Sequence, residues 1–434
     1  MLPVMVGISR TAEPDVIVVG AGVAGLAAAA ELRALGRACV VLEATGRVGG
    51  RAWTETPAAL GHAPFDRGAS WLHDAERNPL AAIARAHGDS VANSDAVRTR
   101  RTFVAGRAAT PDDLASYEAA WERFDTMARA RAAVAPDISF ADAIAPLRDD
   151  PWISTIETWE ARLIAAADPR DFSLTDWHRN ELNGTNLMVA GGVGALVERR
   201  LAPAAGAVTL HAPVTRVDWR GPVIAETPRG ALRADACIVT VSTGVLAAGG
   251  IKFDPPLPHA IRQAVHDLPM GLLSKVALPA TGAERFGLPP SCSLHRQVAP
   301  GEAAMFFHAW PSGRDHIIGF VGGPAAWQLA RDGAAAAEAF AREQLRGLLG
   351  GAIEKALGPA IVTTWGTDPA YLGAYAYART GHFDARAALA QPLGDGRLIF
   401  AGEATRTDGL AGTVGGAYLA GQEAARATVA ALTA

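Results

Sequence analysis

Residues 15–51 constrain the fold of this chain more than any other stretch. Asp15-Val-Ile-Val-Val19 reads as a buried strand that runs into Gly20-Ala-Gly-Val-Ala-Gly25 and then into an Ala/Leu-rich helix ending near Gly36. Such a strand–turn–helix uses glycine three times: Gly20 for the tight turn, Gly22 so that backbone can approach a pyrophosphate, and Gly25 for close packing of helix on strand. The first helical turn, with Val23 and Ala24, presents free N–H groups and the positive end of the helix dipole to the phosphates. Cys39-Val-Val-Leu42 is a second apolar strand. It ends at Glu43 and Ala44, where a carboxylate 18 residues past Gly25 can accept both ribose hydroxyls. Gly46-Arg-Val-Gly-Gly-Arg51 adds a second glycine turn, with Gly50, and two guanidinium groups that suit phosphate. A simple NAD site does not need this second loop, whereas FAD with a buried pyrophosphate does. An ordinary surface turn with solvated arginines is the plainer alternative.

A chain of 434 residues exceeds what one core usually serves. Two domains are expected, in an α/β fold: a doubly wound, Rossmann-like FAD-binding domain with an inserted α+β substrate-binding domain. Residues 14–90, 188–265 and 366–434 form the first, in three pieces, and residues 91–187 and 266–365 the second. Residues from 91 to 187 read as mostly helical, from the apolar spacing in Asp113–Phe124 and Trp152–Ala167. The net charge of −4, with no basic block, argues against nucleic acid as a partner. Three widely spaced cysteines, Cys39, Cys237 and Cys292, give neither a metal signature nor a disulfide framework. Residues 1–13 show no secretory pattern and no run of roughly 18 apolar residues occurs, so a cytoplasmic protein without a membrane span is expected.

Four separate segments resemble the flavin-containing amine oxidase family, closest to its polyamine oxidases. They are Asp15–Arg51; Gly68-Ala-Ser-Trp-Leu-His73 with Asn78-Pro-Leu80; Trp365-Gly-Thr-Asp-Pro369 with Leu372-Gly-Ala-Tyr375; and Ala401-Gly-Glu-Ala-Thr405 with Gly412-Thr-Val-Gly-Gly-Ala-Tyr418. The likeness is weakest over 91–170. It implies that Gly68, Ala69, Ser70 and Trp71 pass beside the flavin, that Trp365 flanks its ring, and that Val214 meets the adenine through its backbone. It also implies that Gly402 and Glu403 meet the ribityl or pyrophosphate region. Thr413 and Val414 would sit at the flavin N1/C2 edge, where a helix N-terminus favours the reduced form. Ala374 stands where covalent members carry cysteine, so the FAD is expected to be non-covalent.

Three residues are expected to be catalytic. Lys275 lies in the apolar Gly271-Leu-Leu-Ser-Lys-Val-Ala-Leu278, and lysine occurs elsewhere only at 252 and 355 among 40 basic residues. A compact ammonium is wanted there, or the side chain snorkels from an edge strand. The resemblance gives it a water beside flavin N5 and a part in reoxidation. Tyr375 is expected to form one wall of an aromatic slot, with Thr413 replacing the second wall, or else to be a core tyrosine. His73 is expected at the pocket mouth, accepting a proton from the substrate amine, or merely capping a loop. Glu181 is expected to hold a remote substrate ammonium, or to be a solvated carboxylate. Asp74 and Ala190 depart from the family pattern nearby.

The expected function is oxidation of an amine such as spermidine, spermine or putrescine: hydride transfer to flavin, imine hydrolysis, and reoxidation by O2 to H2O2. The partners would be a small-molecule amine and O2, with no metal, and the protein a monomer or homodimer. An L-amino acid oxidase is the alternative within the class. A flavin-dependent isomerase or mutase, or a non-catalytic flavin-binding protein, are alternatives outside it. A histone demethylase is disfavoured because the chain shows no accessory domain or long coiled-coil insertion.

Overall fold

The structure, a computed structural model, describes residues 13–282 and 285–433. The reading of residues 1–12 as lacking a secretory pattern lies outside the described residues.

Val16–Val19 is the centre of a five-stranded, all-parallel sheet. Cys39–Leu42 and then Val208–Thr209 lie on one side of it, and Ala236–Val239 and then Leu398–Phe400 on the other. Four consecutive β-branched residues suit a strand covered on both faces. Val16 and Val18 pack into one apolar cluster with the helices, while Ile17 and Val19 pack into another beneath the four-stranded sheet of residues 216–254. Helix Val23–Ala34 lies against the C-terminal helix Val414–Thr433. Their approach depends on Gly421, where a Cβ would fall 2.1 Å from the Ala24 carbonyl oxygen.

A seven-stranded sheet forms the second layer system, in the order Ile361–Val362, Leu273–Pro279, His316–Gly322, Phe306–Ala309, Cys292–Arg296, Thr99–Val104, Arg107–Ala108. Alternation along Leu273–Pro279 decides what this sheet presents. Val276 and Leu278 point to the cluster under helices Gly323–Asp332 and Ala334–Leu349. Lys275 therefore points the other way, in register with Phe320, which pairs in turn with Phe306. Helices Pro111–Ala132, Phe140–Ile144 and Leu174–Arg179 pack around Phe124, Phe140 and Trp177 beside this sheet.

The stretch from 91 differs from the mostly helical reading at its start. Val91–Asn93 is a strand, and Thr99–Val104 and Arg107–Ala108 form a hairpin whose two turn residues, Ala105 and Gly106, both have positive φ. Thr99-Arg-Arg-Thr-Phe-Val104 carries β-branched and aromatic residues, and its inner members face a sheet supplied 190 residues later in the chain, which local spacing does not reveal. Val91–Asn93 and Leu187–Val189 join Trp71–Leu72 in one small sheet, so the expected domain boundaries at 90/91 and 187/188 fall inside a single hydrogen-bonded unit.

Candidate active site

A cavity of about 480 Å³ runs from the glycine turns at the C-terminal ends of the parallel strands to the face of the seven-stranded sheet that carries Lys275. At its first end, the strand–turn–helix closes only with glycine: a Cβ at Gly25 would fall 1.9 Å from the Gly20 carbonyl oxygen. Gly22 bridges to Gly49, and Gly50, at φ +59°, lies against Gly22 so closely that a Cβ would meet its Cα at 3.1 Å. The two glycine turns thus form one bare backbone cradle, lined onward by Val23 and Ala24. Glu43 is held by Ala21 N at 2.7 Å and by Thr45 N at 2.9 Å, and it lines the cavity beside Ala44 and Val214. Arg51 binds Glu403 at 2.7 Å and the Ala374 carbonyl at 2.8 Å, which ties the second glycine turn to the segment before Tyr375. Arg47 instead stacks on Trp53 at 4.1 Å and bonds the Tyr371 hydroxyl. Gly68 through Trp71, Trp365, Gly402, Glu403, Thr413 and Val414 complete this wall. Thr413 caps the C-terminal helix, accepting Gly416 N at 2.9 Å, so the N-terminus of that helix opens on the cavity. A backbone cradle, a ribose-side carboxylate and a helix N-terminus in one long cavity fit a flavin dinucleotide.

Lys275, 4% exposed, spends its three N–H donors on the Asp66 carbonyl at 2.8 Å, the Gly68 carbonyl and Ser70 Oγ at 2.5 Å. Burial lowers its pKa to about 8, against the opposing pull of Asp66. Tyr375 gives its hydroxyl to the Leu163 carbonyl at 2.8 Å, and burial raises its pKa. His73 shares Nδ1 with Asn186 Oδ1 at 2.6 Å, while Asn186 Nδ2 faces Asp95 at 3.2 Å. The amide is thereby oriented with its oxygen toward the imidazole, so Nδ1 carries the proton and Nε2 is left as the acceptor. Burial lowers the pKa of this ring and favours its neutral form. Trp71 stacks on His73 and donates Nε1 to Ser94.

Of the candidate cofactor, catalytic and substrate residues singled out in the sequence, the cavity brings all together except Gly25, which packs behind it, Arg47, which is turned to Trp53, and Glu181. Glu181 is bound by Arg129 at 2.5 Å and by His178 at 3.2 Å, away from the lining. Four acidic residues line the cavity; Glu43 is held by backbone N–H groups, Asp176 by Arg386 and Glu403 by Arg51, which leaves Glu160. Its one hydrogen bond comes from Trp177 Nε1 at 2.8 Å, and among the described residues it has no ion-pair partner. Burial, the dominant cause, raises its pKa to about 7. Glu160 belongs to a π-helical turn, Thr158–Ile164, in which Ala165 N reaches back to the Glu160 carbonyl. Such turns bulge a helix and often occur at functional sites. A signal for it exists: Ile153, Ile156, Leu163 and Ala167 mark a buried face at helical spacing, and residue 160 is the one carboxylate on it. Phe172, Trp177 and Tyr377 add aromatic lining, with Ile164, 47% exposed, at the outer edge. The arginines of the lining are all committed, Arg51 to Glu403, Arg67 to Glu55 and Arg386 to Asp176.

A family model described as flavin containing amine oxidoreductase matches residues 23–429. Among curated proteins, the lysine-specific histone demethylase 1 homolog 3 of Oryza sativa subsp. indica is 31% identical over 96% of this chain, and the chain spans 54%, about half, of that relative's length. Polyamine oxidase 4 of Oryza sativa subsp. japonica is 30% identical over 95% of this chain and 88% of its own length. The solved structures of putrescine oxidase bound to putrescine and of cyclohexylamine oxidase from Brevibacterium oxydans share the fold. The first has a TM-score of 0.80 over 96% of this chain and 99% of that chain, and the second 0.79 over 98% and 100%, each at 23% identity.

Proposed function

The chain belongs to the flavin containing amine oxidoreductases, and from that premise we propose that it oxidises a di- or polyamine, of the size of putrescine or spermidine, at a carbon next to nitrogen. Glu160 is the observation that carries this reading: a carboxyl without an ion-pair partner among the described residues, in the wall of the cavity that also holds Lys275 and Tyr375. Non-covalent FAD, with alanine rather than a thiol at 374, would supply the oxidising power by taking a hydride equivalent from the substrate carbon. Tyr375, Trp71 and Tyr377 would wall the reacting end and keep water out. His73 Nε2 would accept a proton from the reacting amine, whose lone pair is needed for the oxidation. Lys275 would carry a proton at the flavin side of the cavity. Glu160 would hold a second, non-reacting ammonium as a charge-assisted pair. One amine, one O2 and one water then give an aldehyde, H2O2, and ammonia or the shorter amine. The committed arginines disfavour a carboxylate-bearing substrate, and with it the amino acid oxidase alternative.

The test compares putrescine with butylamine, a monoamine of the same chain length, by H2O2 release. Glu160→Gln is expected to raise KM for putrescine about tenfold or more while leaving butylamine nearly unchanged, as fits loss of one charge-assisted pair. Equal effects on both substrates, or no turnover of either by the wild type, contradict the reading. A methylated-lysine peptide belongs in the same assay, because relatives named histone demethylases match as closely as those named polyamine oxidases.

A further inference from the structure

Asp66 stands apart from the machinery described so far, yet two of its groups do different things. Its carbonyl accepts the Lys275 ammonium at 2.8 Å. Its carboxylate lies on the N-terminus of helix Val193–Arg200, where Val193 N reaches it at 3.2 Å and Gly194 N at 3.5 Å. Thr54 Oγ1 bonds the same carboxylate and accepts Ala195 N at 3.0 Å, so three successive helix N–H groups are satisfied by this pair. The strand Phe65–Asp66 is further pinned to Thr54–Glu55. The peptide that receives Lys275 is thus held on both sides.

The charges around this point are few. Phe320 offers the ammonium only its ring, at 5.7 Å. The segment Ile361–Thr363 offers the Thr363 hydroxyl, which bonds the Lys275 backbone N–H. Arg67 is committed to Glu55 and the Val362 carbonyl. Arg314, bound to the carbonyls of Pro64 and Ala190, is the other cation that feels Asp66. Asp66, whose own peptide receives that ammonium, is the acidic residue whose charge offsets part of the cost of burying it.

We propose that Asp66 is a positioning residue for Lys275. Its peptide aims the ammonium, and its carboxylate, locked on the helix N-terminus, supplies the negative charge that keeps a proton on that lysine inside an apolar wall. Burial works against both charges, lowering Lys275 and raising Asp66, and each offsets part of the other's cost. The proposal implies that the two groups titrate as a coupled pair. The inference rests on the reading of Lys275 as the proton carrier beside the flavin.

A test independent of turnover uses the scarcity of lysine. With carbon-13 at lysine Cε, the FAD-loaded protein gives three resonances, and the two from exposed Lys252 and Lys355 are told from Lys275 by the signal missing in Lys275→Met. Asp66→Asn keeps a hydrogen-bonding cap while removing the charge. The Lys275 midpoint is expected to fall from near 8 in the wild type by roughly tenfold in proton affinity, as for loss of a nearby opposite charge. The wild-type curve is also expected to show a second inflection above the ordinary carboxylate range, from Asp66. An unchanged midpoint in a folded Asp66→Asn protein overturns the proposal. Should that variant not fold, the wild-type curve decides alone: a single inflection overturns it and two support it. If the coupling is present but flavin reoxidation does not follow the same midpoint, the role given to Lys275 fails while the role given to Asp66 stands.

Discussion

Glu160 shows what a single residue contributes here. A carboxyl on the apolar side of a turn has to be maintained against burial, and the structure supplies only one indole N–H to help. Its pKa is raised from 4.5 to about 7, so the folded protein holds a proton there that the unfolded chain gives up. Wherever the native state binds more protons, stability falls as pH rises. In the absence of amine, the Tm of the wild type should therefore decline between about pH 4.5 and 7 more steeply than that of Glu160→Gln, which has no proton to lose. Parallel curves would contradict the assignment. The same ionisation works in favour of substrate, since an ammonium is held by the carboxylate, and KM for a diamine should fall as pH rises through 7. Glu181 is the more conspicuous acid in the sequence because residues 181–189 resemble a stretch of polyamine oxidases. Its partner Arg129, 52 residues away, is invisible to local pattern. The nucleotide-side residues were legible because each acts within a few positions of its neighbours, as Gly20 does with Gly25.

At the scale of elements, the π-helical turn Thr158–Ile164 is what delivers Glu160 and Ile164 to the cavity. Glycines of two neighbouring strands hold it, and the residues just after it, by backbone contact. A Cβ at Gly322 would fall 1.7 Å from the Arg162 carbonyl oxygen, and one at Gly271 2.6 Å from that of Ala166. Tyr375 then takes the Leu163 carbonyl that the widened turn leaves free. Gly322→Ala meets backbone and cannot be relieved by a rotamer, so it should cost several kcal/mol, in the range of the larger single-site effects. Gly347→Ala, in helix Ala334–Leu349 with nothing within 4 Å, should instead stabilise by up to about 1 kcal/mol. Denaturant unfolding of the two variants checks this, and a Gly322→Ala protein as stable as the wild type would remove the π turn from the account. Helical spacing foretold the inward face of this segment but not its π geometry. The widened turn packs against the end of an inner strand about 160 residues later in the chain.

For the whole molecule, the two sheet systems matter because the cavity spans both. The parallel sheet ends in the glycine cradle and Glu43, and the seven-stranded sheet presents Lys275 from its opposite side. The C-terminal helix Val414–Thr433 closes the circuit, packing on the first helix and opening its N-terminus on the cavity. Among the described residues no helix is long and apolar enough to cross a membrane. Doubly wound architecture could be read from one βαβ unit, whereas the small sheet joining Trp71–Leu72, Val91–Asn93 and Leu187–Val189 could not, because its strands are two or three residues long. The central claim is that amine and flavin meet in this cavity. Anaerobic titration of the FAD-loaded protein with putrescine or spermidine tests it most directly. Loss of the visible flavin absorbance with one equivalent of amine is the predicted result, and a flavin that stays oxidised with every amine offered would contradict it.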